Sequence, residues 1–268
     1  MRCAIAFVLL LTATVHAEDL ELSLHWPDSV SPLVTQTVTQ DRKSVVVQYR
    51  ANLKPKGQHL VFTRSDFKVI LVNGREPARA VAGNLEQAMR RTNVPLLLAA
   101  DGDVTEDMVE EIADDVAQVL VDAAQLVQVA EVWCTWVCNW LNVPLSKAGT
   151  TRMDDDYLEG TPFNLVEYSA IRPLPGQLKL TSVQRGGGEE MTAMVLGIMD
   201  ALGVGEQMPK VAALQVEREL VFSATVIEAT LQPLRASIVD KRYASDGTES
   251  KTFLKRTSFT FDWEGALP

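Results

Sequence analysis

The chain of 268 residues carries 35 acidic and 25 basic residues, which gives a formal net charge of −10 at pH 7. This acidity repels nucleic-acid phosphates and anionic membrane surfaces, so nucleic acid is excluded as an expected partner. Beyond residue 17, no uninterrupted apolar run approaches the roughly 20 residues that cross a bilayer, so no transmembrane segment is expected.

The N-terminus has the three parts of a secretory signal peptide. Arg2 precedes an apolar run, Ala4–Val15, and the small residue Ala17 ends the segment. We therefore predict a signal peptide at 1–17 and a single α+β domain at 18–268. The mature protein is expected to be exported, to the periplasm or outside the cell.

Alternating apolar and polar residues predict several strands in the first part of the chain. Leu20–Trp26 alternates and ends at a proline, and Val45–Leu53 repeats the pattern. Lys54–Gly57 contains the Pro and Gly of a turn and leads into a strand at Leu60–Thr63. These last two strands are predicted to form a hairpin.

Two further local signals follow before the middle of the chain. A strand at Phe67–Leu71 meets Asn73-Gly74, the strongest short hairpin signal. Asn84 resembles an N-cap, and Leu85–Met89 gives a short helix one apolar face, closed off by Pro95. We predict another hairpin and a short helix here.

The stretch Val104–Val143 contains no Gly or Pro and predicts one long amphipathic helix. Asp103 or Thr105 can cap its start, and Asn142 and Pro144 mark its end. About 37 helical residues would span roughly 55 Å, more than the diameter of about 45 Å expected of a compact domain of this length. The helix must cross the whole domain or be broken.

The C-terminal end of this stretch is unusually aromatic. Three Trp and two Cys there are typical of a packed core, and the β-branched and aromatic residues of Val132–Trp140 also allow a strand. A third interpretation is that the wide apolar surface faces a cavity that holds an apolar ligand. The ligand-binding residues of that hypothesis are Trp133, Trp136, Val137, Trp140 and Leu141.

Cys134 and Cys138 are spaced C-x-x-x-C, which matches neither the thioredoxin motif nor a haem-attachment motif. On a helix the two thiols would lie one turn apart and could hold a soft metal such as Cu(I). An oxidising compartment favours disulfides, but parallel Cβ vectors on a regular helix would strain a bridge. We therefore expect Cys134 and Cys138, if helical, to be buried and at most weakly bridged.

After the long helix, Asp154–Asp156 is predicted to be a solvated loop, because calcium loops place their acids at alternate positions. Phe163–Ile171 and Gln177–Val183 predict a hairpin. Gly186–Gly188 leads into a predicted Met-rich helix at Glu189–Leu202, and the acids in its first turn argue against phosphate binding.

The last quarter predicts three long strands, roughly Leu214–Ile227, Leu234–Tyr243 and Lys251–Trp263. Short turns connect them, so they should pair antiparallel. The basic residues of these strands are interpreted as a solvent-exposed face: Lys241, Arg242, Lys251, Lys255 and Arg256.

Residues suited to catalysis are sparse. The mature chain has only His25 and His59, both interpreted as surface residues, and no nucleophile motif accompanies them. Acidic residues are plentiful, but no pattern places two of them in one cleft. The sequence favours a protein that is not an enzyme and indicates no cofactor.

Together these patterns predict an α+β fold: a curved antiparallel sheet or half-barrel of about eight to ten strands, packed against one long amphipathic helix and one or two shorter helices. The favoured function is non-enzymatic binding of an apolar small molecule, lipid or partner segment in a Trp- and Met-rich interior. The alternatives are an envelope interaction or assembly protein with a protein partner, and a thiol or soft-metal site.

Overall fold

The structure is a computed structural model that describes residues 19–20, 22–27, 30–104, 116–141, 143, 145–146, 149–153, 163–188, 191–193, 215–245 and 250–263. The predicted signal peptide, the loop at Asp154–Asp156 and nearly all of the helix at Glu189–Leu202 lie outside these residues. The first part of the predicted long helix, 105–115, lies outside them as well.

The described elements are mostly strands. In chain order they are β1 (Asp19–Leu20), β2 (Leu33–Gln40), β3 (Lys43–Lys56), β4 (His59–Val72), α1 (Arg79–Arg91), β5 (Leu96–Leu98), α2 (Val116–Trp136), a short 3-10 helix (Cys138–Trp140), β6 (Leu145–Ser146), β7 (Gly149–Arg152), β8 (Leu165–Ile171), β9 (Gln177–Gly186), β10 (Gln215–Ile227), β11 (Pro233–Ser245) and β12 (Ser250–Asp262).

Ten strands form one open antiparallel sheet in the order β5-β4-β3-β2-β12-β11-β10-β9-β8-β7. Most strands that are adjacent in the sheet are also consecutive in the sequence, because the connections between them are short. The exception is the pairing of β12 with β2, which joins the two halves of the chain. The prediction of a large antiparallel sheet is confirmed, whereas its strong curvature stays a prediction.

The two faces of the sheet differ because successive side chains along a strand point to opposite sides. On one face Val34, Tyr49, Phe62, Phe222 and Phe259 are buried in the hydrophobic core. We call this the inner face. Helix α2 packs against it, which places the core between the helix and the sheet.

A single long amphipathic helix is not confirmed. Regular α-helix ends at Trp136, before the predicted stop, and Val137 leaves helical geometry ahead of the 3-10 turn. Between Val116 and Trp136 only Asp122 and Glu131 are charged. The described helix therefore has little of the acidic face that the prediction required. The alternative of a strand at Val132–Trp140 was wrong.

Several predictions for the first half need correction. Within Leu20–Trp26 the structure describes Leu20 and residues 22–26, and of these only Leu20 is in a strand, where β1 pairs with β6. The strands predicted at Leu60–Thr63 and Phe67–Leu71 are one strand, β4, interrupted by an irregular register around Asp66, whose φ is 57°. Bulges of this kind keep both halves in the same ladder.

The signals around Asn73 and Asn84 were also misread. Asn73-Gly74 makes a tight turn, but it closes only the single bridge between Val72 and Arg75 before helix α1 begins. Helix α1 has Ala78 at its N-cap position, so Asn84 lies inside the helix rather than at its start. Among the described helices, none combines the length and apolar character of a bilayer-crossing segment.

Candidate functional site

An aromatic cluster surrounds the C-terminal end of α2. Trp136 packs against four aromatic residues of three strands, with ring centroids at 6.5 Å from Tyr49, 5.4 Å from Phe62, 5.4 Å from Phe259 and 4.8 Å from Phe261. Three of these four contacts are edge-to-face, the arrangement that the ring quadrupoles favour. The strands β3, β4 and β12 therefore converge on one side chain.

The other predicted ligand-binding residues lie in the same core. Trp133 contacts Trp26 at 5.8 Å and Phe62 at 5.0 Å, and Trp140 contacts Tyr168 at 6.4 Å. Trp133, Trp136, Val137, Trp140 and Leu141 are all buried. The structure thus brings the five residues together, packed against aromatic neighbours.

The indole N–H groups of this cluster differ in their hydrogen bonding. Trp133 Nε1 donates to the carbonyl oxygen of Gly102 at 2.8 Å, a contact that ties α2 to the loop after β5. The Nε1 atoms of Trp136 and Trp140 are buried and have no hydrogen-bond partner in the described part of the chain. A buried donor without a partner destabilises the fold by about 1 to 3 kcal/mol.

Cys134 and Cys138 form a disulfide, with Cα atoms 4.3 Å apart. The expectation that they are at most weakly bridged was wrong, because it assumed one continuous helix. Since α2 ends at Trp136, Cys138 lies in the 3-10 turn, where its backbone direction is no longer fixed by the α-helix. The soft-metal alternative loses its support as well, because the bonded sulfurs offer no thiolates.

Reduction of this disulfide should have a modest effect on stability. The bridge closes a very short loop, so the entropy it removes from the unfolded chain is worth only about 1 to 2 kcal/mol. We expect a reductant to lower the thermal midpoint of the natural protein slightly and to leave a Cys134→Ala, Cys138→Ala variant unchanged. Identical midpoints of the natural protein with and without reductant would contradict the bridge.

A pocket of about 300 Å³ lies next to the aromatic cluster, between α2 and the inner face. We call it the α2 groove. Its volume is at the lower end of the range of about 300 to 1,000 Å³ found for ligand pockets. The groove is lined by Gln36, Val38, Arg64, Phe67, Met89, Thr92, Gln128, Glu131, Val132, Thr135, Ile238, Lys255, Thr257 and Phe259.

The groove is separated from Trp136 by a single layer of side chains. Phe259 lines the groove and packs edge-on against the Trp136 ring at 5.4 Å. None of the five predicted ligand-binding residues is itself in the lining. Sequence analysis therefore identified residues that lie behind the lining of the pocket. It missed the lining itself, which comes largely from strands distant in sequence.

Arg64 occupies a fixed position at the groove. Its guanidinium carbon lies 5.7 Å from the Tyr49 ring centroid and 5.6 Å from that of Phe67, and its Nε donates to Asn93 Oδ1 at 3.2 Å. Burial raises the pKa of Tyr49 strongly, although the nearby Arg64 lowers it. Tyr49 is therefore a neutral phenol and gives Arg64 no negative charge with which to pair.

A second charged cluster lies on the inner face beside the groove. Asp240 accepts hydrogen bonds from Arg218 at 2.9 and 3.1 Å and from Arg242 at 2.6 and 3.0 Å. Burial is the largest single effect on the pKa of Asp240 and raises it. The hydrogen bonds and charges of the two guanidiniums together outweigh burial and hold this pKa below its usual range. Asp240 is therefore a buried, ionised carboxylate.

The prediction that the basic residues are solvent-exposed is confirmed for Lys241, Arg242, Lys251 and Arg256, but these residues do not share one face of the sheet, and Lys255 is half-buried. Arg242 bonds Asp240, and Lys255 lines the groove, so both lie on the inner face. Lys241 and Arg256 are their immediate sequence neighbours and point the other way. The alternation along each strand was the signal that could have separated them.

Two other pockets lie away from α2. One opens among strand ends near Arg185, Gly187 and Glu217, and the other lies at the turns near Pro175 and Ile227. Within the described ranges, no three His, Cys, Asp or Glu side chains come close enough to share a metal ion. Of these three pockets, the α2 groove is the one that adjoins the aromatic cluster, and we take it as the candidate site.

No family model matches the sequence, and no curated protein matches it. Among solved structures, one titled "Lipid-protein interactions in lipovitellin" is similar, with a TM-score of 0.47 and 9% identity over 88% of this chain and 25% of that chain. The chain thus spans about a quarter of that structure's length. At this TM-score the likeness carries no information about what this chain binds.

Proposed function

We propose that this protein is an exported, non-enzymatic binding protein that holds an apolar or lipid-like ligand in the α2 groove. The observation that carries the proposal is the position of the groove, between α2 and the inner face and against the aromatic core. The proposed binding site is thus the groove, and not the cavity that the sequence predicted around Trp136. The strongly curved sheet predicted from the sequence would enclose such a ligand further.

The lining suits a ligand with a substantial apolar part. Six of its residues are apolar: Val38, Phe67, Met89, Val132, Ile238 and Phe259. Covering apolar surface stabilises a complex by about 25 cal/mol per Å². An acyl chain would cover these residues, and the polar groups around them would orient it, which is the composition typical of ligand pockets.

Titration of delipidated protein with palmitate should test the proposal. Ligand binding beside Phe259 alters the surroundings of Trp136, so we expect a saturable change in tryptophan emission and a higher thermal midpoint. Solvent extraction of the purified protein should release a lipid detectable by mass spectrometry. If no acyl compound co-purifies and none changes the emission or the midpoint, the proposal fails.

A pair of matched variants ties the signal to the groove. Val132 lines the groove on α2, whereas Val81 on α1 is exposed. Val132→Gln places an amide on the apolar wall and should weaken palmitate binding about tenfold, the equivalent of about 1.4 kcal/mol. Val81→Gln is the control and should leave it unchanged. Equal affinities of the two variants would place the ligand elsewhere.

A further inference from the structure

The hairpin of β11 and β12 carries a local excess of basic residues. Residues 239–256 contain five basic and three acidic residues, a net charge of +2, while the rest of the chain carries −12. Exposed charges act over only about 8 to 10 Å at physiological ionic strength. A partner that binds at this hairpin therefore meets its basic residues and not the acidity of the whole chain.

One aromatic side chain of this hairpin is in contact with solvent. Phe253 on β12 is 43% exposed, although alternation places it on the inner face with the buried residues Thr257 and Phe259. The pairing of β12 with β2 ends at Lys255, which is opposite Gln40. Phe253 therefore lies beyond the end of β2, where β12 is paired only with β11 among the described strands.

Three cations surround Phe253 on the inner face. Arg242 is directly opposite Phe253 in the ladder of β11 with β12, so their Cβ atoms are about 4.5 to 5.5 Å apart. Lys251 and Lys255 are two residues before and after Phe253, which places them on the same face at about 7 Å along the strand. We call these four residues the Phe253 patch.

The described acids on this face leave the patch with a positive charge. The carboxylate of Asp240 is shared, because it accepts hydrogen bonds from both Arg218 and Arg242. Glu131 of α2 lines the groove together with Lys255. With Arg218, the patch brings four basic residues to this face against these two acids.

The opposite face of the same hairpin differs in charge. Leu254 is 48% exposed there and lies opposite Lys241. Lys241 is in turn directly opposite Glu219 of β10, and Glu217 lies on the same face of that strand. The two faces thus have similar apolar exposure, but only the inner face combines it with an excess of cations.

We propose that the Phe253 patch is the surface by which this protein docks on an anionic phospholipid bilayer. Lipid phosphates would pair with the three cations, and the Phe253 ring would enter the boundary between head groups and acyl chains. Each basic residue near an anionic bilayer strengthens binding about fivefold. A protein partner would instead need about 800 Å² of surface around an apolar centre, and the patch offers a single ring.

The patch is continuous with the candidate site. Lys255 belongs to the patch and also to the lining of the α2 groove, so a docked bilayer would lie against the groove. The purpose of docking would be to transfer a lipid between the bilayer and the groove. For this purpose the inference rests on the proposed function, whereas docking itself does not depend on it.

Co-sedimentation of the purified full-length protein with vesicles tests the docking. One vesicle preparation is phosphatidylcholine alone, and the other is an equal mixture of phosphatidylcholine and phosphatidylglycerol. We expect binding to the mixed vesicles to be about tenfold or more stronger, because more than one cation contributes, and to weaken when salt is added. Equal binding to the two preparations, or binding to neither, would overturn the inference.

Alternate residues of β12 supply matched variants. Phe253→Gln should weaken binding to the mixed vesicles about tenfold, and Lys251→Gln about fivefold. Leu254→Gln and Arg256→Gln, on the opposite face of the strand, are the controls and should leave it unchanged. The inference is overturned if the first two variants bind like the natural protein, or if the controls lose as much binding as they do.

Two further measurements separate the remaining outcomes. If polyglutamate binds the natural protein as tightly as the mixed vesicles do, the patch is a site for an acidic protein and the inference is overturned. None of the four substituted residues lines the groove, so palmitate binding should be the same in all four variants. If vesicles bind and palmitate does not, the proposed function fails while docking stands, and the opposite result removes docking alone.

Discussion

Replacement of Trp136 with alanine is expected to lower the free energy of unfolding by about 3 to 5 kcal/mol. Trp136 is fully buried and its ring contacts Tyr49, Phe62, Phe259 and Phe261. These aromatic rings belong to three strands and cannot all move inward to fill the space of an indole. Equilibrium unfolding in urea, followed by circular dichroism, measures the loss.

A milder pair of variants separates packing from hydrogen bonding and remains informative if Trp136→Ala fails to fold. Trp136→Phe removes an N–H that has no partner in the described part of the chain, so part of the packing loss is offset. Trp133→Phe also removes the bond to Gly102. We expect Trp133→Phe to cost about 1 to 2 kcal/mol more than Trp136→Phe. Equal losses would contradict the role of the Gly102 bond.

The C-terminal strands were predictable because their local and tertiary requirements agree. In β10 and β11, positions such as Phe222, Ala224, Ala236 and Ile238 alternate in burial as their apolar pattern predicts. Strand order was also accessible, since short turns force neighbouring strands to pair antiparallel. For these strands, the alternation of apolar and polar residues was sufficient for the prediction.

Strand β2 was missed because its pattern is weak. Leu33–Gln40 reads LVTQTVTQ, and of its inner-face residues only Val34 is fully buried. The turn that follows uses Asp41 and Arg42, both with positive φ, where Gly or Asn would be the usual signal. Yet β2 pairs with β12 and joins the two halves of the sheet. A strand with a polar inner face gives periodicity analysis little to detect.

The same polar inner face explains why the groove was missed. Gln36 of β2, Arg64 of β4 and Lys255 of β12 line it together with α2, and β12 joins the sheet of β2 and β4 only through the pairing of β12 with β2. No local pattern encodes that pairing. The burial of Trp133 and Trp136, by contrast, followed from composition alone, because large apolar side chains are rarely left in water.

Replacement of Asp240 with alanine should lower the free energy of unfolding at pH 7 by about 2 to 3 kcal/mol, since it leaves two guanidiniums without their acceptor. The loss is at the lower end for a buried ion pair, because the side chains of Arg218 and Arg242 are 27% and 55% exposed and retain some hydration. Glu219→Ala, in the more exposed pair with Arg185, is the control and should cost no more than about 1 kcal/mol.

The contribution of Asp240 should also depend on pH in a defined direction. Its pKa is depressed in the folded protein, so below the unfolded value of about 3.9 the unfolded chain binds a proton that the folded chain does not. The stabilisation is therefore complete above about pH 5 and is lost as the pH falls through the folded pKa. Unfolding curves of the natural protein and of Asp240→Ala should differ by a constant amount from pH 8 to pH 5 and should converge below about pH 4. A difference that instead persists to pH 2 would show that Asp240 contributes through packing and not through its charge.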